Sequence, residues 1–383
     1  MDLSHILNHL GEEREHYFNA VAPPIVQTSN FSFRTVEEMR RGLREEFSLP
    51  AYTRGTNPTV AILREKMAAL EGAEDALIFA SGSGAIASSV MANVNSGDHI
   101  VSVARPYSWT STLFSKLLRR FGVDCTMVDG RDPGDFEKAV RPNTKIIFLE
   151  SPNSFTFELQ DLRAVGEIAR KHGILTMIDN SYSSPLFQRP LDLGIDLSIH
   201  SATKYIGGHS DTVAGVVCGS GKMMRRIFES EYMTLGGIIA PFNAWLLLRG
   251  LRTLELRLER SAGSTAQIID FLETEDKVET IYYPFYKKSP QYELACAQMK
   301  KGAGLFSIAL RADSVKQVEC FCNSLKRFLL AVSWGGHESL IMPRCLSMQE
   351  GSREPGYNLV RFYVGLEDPG LLIEDIRQAM AAY

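Results

Sequence analysis

The segment Ser201-Ala202-Thr203-Lys204-Tyr205-Ile206-Gly207-Gly208-His209-Ser210-Asp211 sets one lysine among hydroxyls and glycines, directly after the alternating run Gly194 to His200. A lysine amine in a partly desolvated pocket gives up its proton more readily and becomes a nucleophile toward carbonyl groups. The neighbouring Ser201 and Thr203 offer hydroxyls to an anion. Taken alone, the segment fits three readings: an amine that holds an aldehyde-bearing cofactor, a serine nucleophile in an S-x-x-K arrangement, and a surface lysine in a turn.

Three further positions carry complementary chemistry. Ser81-Gly82-Ser83-Gly84-Ala85 lies between a strand-like run and an apparent helix from Ile86 to Asn95, so its backbone N–H groups and the positive helix end suit a phosphate. It is neither a G-x-G-x-x-G nor a G-x-x-x-x-G-K-[ST] loop, which weakens nucleotide-binding readings. Asp179 closes Met177-Ile178-Asp179-Asn180, where a carboxylate serves as a helix cap, a solvated strand end or the partner of a pyridinium nitrogen. Tyr107 follows the run ending at Val103, and its ring suits core packing or stacking on a flat cofactor. A phosphate loop, an aromatic ring, an aspartate and a lysine flanked by hydroxyls, in that order, meet the needs of a pyridoxal phosphate site.

The elements that must position these residues follow from periodicity. Ala76–Phe79, Ile100–Val103, Ile146–Leu149, Leu175–Ile178 and Val213–Cys218 are short apolar runs separated by helical segments such as Asp161 to His172, with Gly173 beyond. That alternation predicts an α/β fold with a mostly parallel sheet covered by helices on both faces. Functional residues in such sheets lie just past the strand C-termini, where Ser81, Glu150, Asp179 and Ser201 fall. Asn57 is a good N-cap, Pro58 suits the first helical position, and Gly72 closes the helix between them. One long helix is expected from about Phe242 to Ser261, ahead of a smaller α+β C-terminal domain with strands at Leu305–Leu310 and Leu359–Leu366. The expected divisions are an arm over 1–50, extended apart from a short charged helix near Val36 to Glu46, a cofactor-binding domain over 51–240 and a C-terminal domain over 241–383.

Composition narrows the classes. With 383 residues, 45% of them hydrophobic, the chain has enough apolar material for one large core or two domains. A formal net charge of -4 with scattered basic residues argues against nucleic acid. No apolar run reaches the ~18 residues of a membrane span, and the polar N-terminus is unlike a signal peptide, so a cytoplasmic protein with no membrane partner is expected. The six cysteines show neither a C-x-x-C pair nor metal-ligand spacing, and are read as reduced and structural, with no metal site.

The chain resembles the Cys/Met-metabolism family of pyridoxal-phosphate enzymes along nearly its whole length. The resemblance rests on Tyr52-Thr53-Arg54-Gly55-Thr56-Asn57-Pro58-Thr59, the Ser81 loop, Ile178-Asp179-Asn180, the Lys204 segment, Ala244 to Leu254, Ser333-Trp334-Gly335-Gly336-His337-Glu338-Ser339-Leu340 and Arg361 to Glu367. It implies the type I, aspartate-aminotransferase-like fold and pyridoxal 5'-phosphate as cofactor. Lys204 would hold the cofactor and move protons, Asp179 would face the ring nitrogen, and Tyr107 would stack on the ring. Gly82, Ser83, Ser201 and Thr203 would take the phosphate. Tyr52 and Arg54 would reach the phosphate of a neighbouring subunit, which implies at least a homodimer and suggests a homotetramer. Arg361 and Ser333 would hold the α-carboxylate of a small sulfur-containing amino acid.

Several positions bear on the reaction. Asn153-Ser154-Phe155 after Glu150-Ser151-Pro152, and Trp334 after Ser333, resemble some bacterial cystathionine β-lyases. Val332 is apolar where cystathionine γ-lyases and γ-synthases tend to carry glutamate, and Trp109 stands where methionine γ-lyases have cysteine. The sequence thus places a carbon-sulfur lyase first, with cystathionine β-elimination ahead of γ-elimination from cystathionine or methionine. The alternative is γ-replacement on an O-acylhomoserine.

Overall fold

Seven strands, β1 (Asp75–Phe79), β2 (His99–Val103), β3 (Asp124–Val128), β4 (Thr144–Glu150), β5 (Leu175–Asp179), β6 (Leu197–Ser201) and β7 (Gly215–Gly219), form one sheet in the computed structural model, which describes residues 1–348 and 354–383. The order across the sheet is β1-β7-β6-β5-β4-β2-β3, parallel at every pairing except the two made by β7. The expected α/β architecture with a mostly parallel sheet is therefore present. Strands β2 and β7 are buried along their whole length, which is why they read as unbroken apolar runs. The edge strand β3 escaped notice because exposed Asp124 and half-buried Thr126 dilute its pattern.

Because β7 runs antiparallel to β6, residues 202–214 return to the sheet without a crossover helix. The loop carrying Lys204 is thus a compact return at the strand ends. Register aligns the rest of the edge: Glu150 pairs with Asp179, Asp179 with Ile199, and Gly215 with both Ser201 and Phe79.

The helix Pro58–Glu71 is capped as expected, with Asn57 accepting from Thr59 N and Gly72 left-handed at φ 70. The helix after β1 runs from Gly82 to Met91, not from Ile86: Ser81 caps it by accepting from Gly84 N at 3.0 Å, so the glycines form its first turn. The single helix expected over 242–261 is instead two, Pro241–Leu251 and Leu254–Leu272. Arg257 Nη2 donates to the Gly250 carbonyl at 2.8 Å and Thr253 N at 3.2 Å, so that carbonyl is diverted from the helical ladder.

The start of the chain is docked rather than extended. Residues Leu3–Asn8 form a helix that buries Ile6 and Leu7, and buried Lys66 donates to the Ile6 carbonyl at 2.9 Å. Lys66 also pairs with buried Glu12 at 3.2 Å, and Arg252 reaches the same carboxylate at 3.2 Å. A buried ammonium needs such partners, and they fix the beginning of the arm against the helix Pro58–Glu71. The charged helix, Val36–Arg44, is present.

A second sheet contains β8 (Val278–Tyr282), β9 (Leu305–Leu310), β10 (Leu329–Leu330), β11 (Leu340–Pro343) and β12 (Leu359–Tyr363) in the order β10-β11-β12-β9-β8. Alternation along β12 sends Val360 and Phe362 into a core with Phe306 and Phe321, while Tyr363 joins the cluster of Tyr205 and Trp334. Arg361 shares that second face. Among the described residues no helix is long and apolar enough to cross a membrane.

Candidate active site

Lys204 sits in the return between β6 and β7, with its N–H donating to Ser201 O at 3.1 Å and its carbonyl accepting from Gly208 N at 2.8 Å. The second sheet's loop 333–338 closes on it. Gly335 adopts φ +92, and a Cβ there would lie 2.7 Å from the Lys204 carbonyl carbon, so only glycine permits this approach. Lys204 Nζ donates to Ser333 Oγ and lies 5.3 Å from the Trp334 ring centroid. Ser333 itself holds φ 79, an unfavourable conformation for a side-chain-bearing residue. Burial, helped by the Arg361 charge and opposed by Asp179, brings the Lys204 ammonium down to about 8. Because its partner is Ser333, not Ser201, the S-x-x-K reading finds no support.

Asp179 is buried and accepts from Ser181 N at 3.0 Å and Ser181 Oγ at 2.5 Å. Ser181 Oγ in turn accepts from Ser201 N at 2.7 Å, which ties the ends of β5 and β6 together. Burial raises the Asp179 carboxyl, and the Ser181 hydrogen bonds, His200 and Lys204 offset part of that. Tyr107 is held from behind, its N–H donating to Glu150 Oε2 at 2.6 Å, while its ring stays 42% exposed and free to meet a planar group. Burial and then the Asp179 charge raise the phenol, against a hydrogen bond from Ser83. Tyr107, Ser83 and Asp179 thus converge.

The candidate anion cradle is the first turn of the helix Gly82–Met91, whose leading amides have no partner within the helix. Gly82 is required there: a Cβ would sit 2.9 Å from Ser201 Cβ and 3.1 Å from its Oγ, in the gap between helix and strand. Thr203 is less available than expected, because its hydroxyl donates to Ala214 O at 3.2 Å and accepts from Ala214 N at 3.0 Å. Arg361 is buried, donates to Ser154 O at 3.1 Å and lies 5.2 Å from the Phe155 ring. Burial lowers its guanidinium to about 10, with Glu150 working the other way.

This donor set suits pyridoxal phosphate: a half-neutral amine, a buried carboxylate, an exposed ring face and an amide cradle that a single methyl would fill. The model of the family described as "Cys/Met metabolism PLP-dependent enzyme" matches residues 5–381. The chain belongs to that family. Its members' cofactor, pyridoxal 5'-phosphate, is therefore this protein's cofactor. The L-methionine gamma-lyase of Treponema denticola is 38% identical over 382 residues, covering 97% of this chain and 95% of that protein. The cystathionine gamma-lyase of Bacillus subtilis is 37% identical over 382 residues, covering 98% of each. The chloroplastic cystathionine gamma-synthase 1 of Arabidopsis thaliana is 37% identical over 385 residues, covering 98% of this chain and 68% of that protein.

Of the residues singled out in the sequence, Lys204, Asp179, Tyr107, Gly82, Ser83, Ser201, Ser333 and Arg361 line one region. Tyr52 and Arg54 stay apart: both are exposed, and their contact is with each other, the guanidinium 5.3 Å from the ring centroid. Sequence reasoning placed Glu150 at a strand end without giving it a place in the site. The signal was its position opposite Asp179, which only register reveals. A cavity of about 440 Å3, lined by Phe157, Glu158, Tyr282, Tyr283, Lys288 and Gln291 among others, shares no residue with this cluster. Its charges Glu158 and Lys288 are already paired with Arg105 and Glu273, so the chemistry resides with Lys204.

Proposed function

We propose that the protein is a carbon-sulfur lyase that eliminates a thiol from a sulfur-containing α-amino acid, with the γ-carbon of methionine or cystathionine as its principal point of cleavage. The observation that carries the lyase reading is the Lys204 amine held at the strand ends against Ser333 and Trp334, with Arg361 and Asp179 acting on its charge. The preference for the γ-carbon rests on the γ-lyase names of relatives that cover nearly the whole chain. It reverses the order expected from sequence, where β-elimination came first.

Bound pyridoxal phosphate supplies the electron sink that lets a proton leave the substrate α-carbon. Lys204 Nζ, in its neutral form, takes that proton as the general base. Arg361 and Ser333 hold the α-carboxylate and aim the α-hydrogen at Lys204. The Asp179 carboxylate stabilises a protonated ring nitrogen, Tyr107 covers the ring, and the Gly82 and Ser83 amides take the phosphate. For γ-elimination a second proton must move from the β-carbon, and the Tyr107 phenol is placed to protonate the leaving sulfur. Tyr52 and Arg54 complete the phosphate site of a second copy, so the active unit is at least a homodimer.

Product analysis decides between the reactions. Release of 2-oxobutyrate from methionine or cystathionine supports the proposal. Pyruvate from cystathionine supports the second reading, β-elimination, which the Ser333-Trp334 pair beneath Lys204 favours. Formation of a thioether amino acid and a free carboxylate from an O-acylhomoserine and a thiol, with no keto acid from methionine or cystathionine, would sink both in favour of replacement. Full activity in Lys204→Ala would remove the premise they share. For the shared site, mixing Arg54→Ala with Lys204→Ala subunits should restore part of the activity lost in each; no recovery on subunit exchange argues for sites complete within one chain.

A further inference from the structure

Glu150 ends β4 in register with Asp179 on β5, is buried, and spends its two oxygens on two different loops. Oε2 accepts from Tyr107 N at 2.6 Å and Oε1 accepts from Ser154 N at 3.2 Å. The first loop carries the ring expected to cover the cofactor. The second supplies the Ser154 carbonyl that accepts from Arg361 at 3.1 Å and the Phe155 ring against its guanidinium.

We propose that Glu150 is a positioning residue that locks the cofactor-covering Tyr107 and the substrate-carboxylate site at Arg361 into one rigid relation across the ends of β4 and β5. The inference rests on the roles given to Tyr107 and Arg361 in the proposed function. A buried carboxylate that bridges two backbone amides fixes both loops at once, because neither can shift without leaving a charge underbonded in a dry site. Its electrostatic surroundings agree. Burial and the facing Asp179 push the Glu150 carboxyl up, the Tyr107 and Ser154 amides that donate to its ionised form pull it back, and Arg361 is in turn supported by it. Glu150 is the group through which occupation of Arg361 by a carboxylate is felt at the cofactor face. It touches neither reacting atom, so it sets geometry and field and takes part in no bond change.

The test uses the holoenzyme with Glu150→Gln, which keeps the shape and one amide acceptor but loses the second acceptor and the charge. Visible titration of the cofactor-free variant with pyridoxal phosphate should show retained binding. The KM for the sulfur amino acid should rise about tenfold or more, the loss of one charge-assisted hydrogen bond, with a smaller fall in kcat as Tyr107 loses its anchor. The rise should vanish for an amine analogue that lacks the α-carboxylate. If Glu150→Gln does not fold, Glu150→Asp, which keeps the charge but reaches only one amide, should give the same split. Arg361→Lys is run in parallel. If it raises KM while either Glu150 variant leaves KM unchanged, the Glu150 assignment is overturned alone. If it too leaves KM unchanged, the reading of Arg361 fails instead, and this inference with it.

Discussion

Lys204 should titrate as a buried amine, and its neighbours should move that titration in opposite senses. An ordinary lysine titrates near 10.5, whereas here the midpoint lies at about 8. At pH 8 half of the Lys204 side chains are then neutral against roughly 0.3% for a solvated lysine, a gain of roughly 150-fold in reactive amine. Burial is the largest cause, so Arg361→Gln should raise the midpoint only partway, leaving it between about 8 and 10.5, while Asp179→Asn should lower it below the wild-type value. The measurement is acylation of the cofactor-free protein from pH 6 to 11, read by mass spectrometry on the peptide containing Lys204. The same displacement has a stability counterpart. Between pH 8 and 10.5 the folded chain binds fewer protons at Lys204 than the unfolded chain, so stability rises with pH across that window. Below pH 8 a constant cost of about 3 kcal/mol remains. Lys204→Met should therefore gain about 2 kcal/mol in urea at pH 7, after about 1 kcal/mol for the lost Ser333 hydrogen bond. A labelling midpoint near 10.5, or equal shifts of one sign in both neighbours' variants, would refute the reasoning.

Gly82→Ala should weaken pyridoxal phosphate binding at least tenfold in a visible titration and also cost about 1–3 kcal/mol in urea unfolding, because the methyl would overlap Ser201 and push the helix start away from the strand end. Gly335→Ala must accept φ +92 and a 2.7 Å approach to Lys204, so it should lose about 2 kcal/mol or more in urea unfolding and most of its turnover. Lys66→Met leaves the buried Glu12 to Arg14 and Arg252 alone and should cost about 3 kcal/mol by the same measurement, with KM unchanged.

What the sequence disclosed and what it withheld have separate physical causes. Local rules sufficed for the helix from Pro58 to Glu71, because its cap, first-turn proline and closing glycine act within a few residues. They sufficed for the inner strands, whose burial on both faces shows as short apolar runs, but not for the half-exposed edge strand β3. They failed where a distant group intervenes: the break near Arg252 depends on Arg257 capturing the Gly250 carbonyl, and the docked N-terminal helix depends on Lys66 needing acceptors. In the site, Lys204 and Asp179 stood out by residue type and strand position. Glu150 did not, because its meaning lies in cross-strand register, and the bonding of the Thr203 hydroxyl to Ala214, eleven residues on, is likewise visible only in the folded loop.

The loop 333–338 that closes over Lys204 also sets the order in which the protein can become chemically competent during its synthesis. Ser333, Trp334, Gly335 and Arg361 leave the ribosome more than a hundred residues after Lys204. Until they arrive, the amine lacks its Ser333 acceptor and the guanidinium that helps burial bring it down to about 8. A chain that stops short of Ser333 therefore cannot assemble the complete surroundings of Lys204.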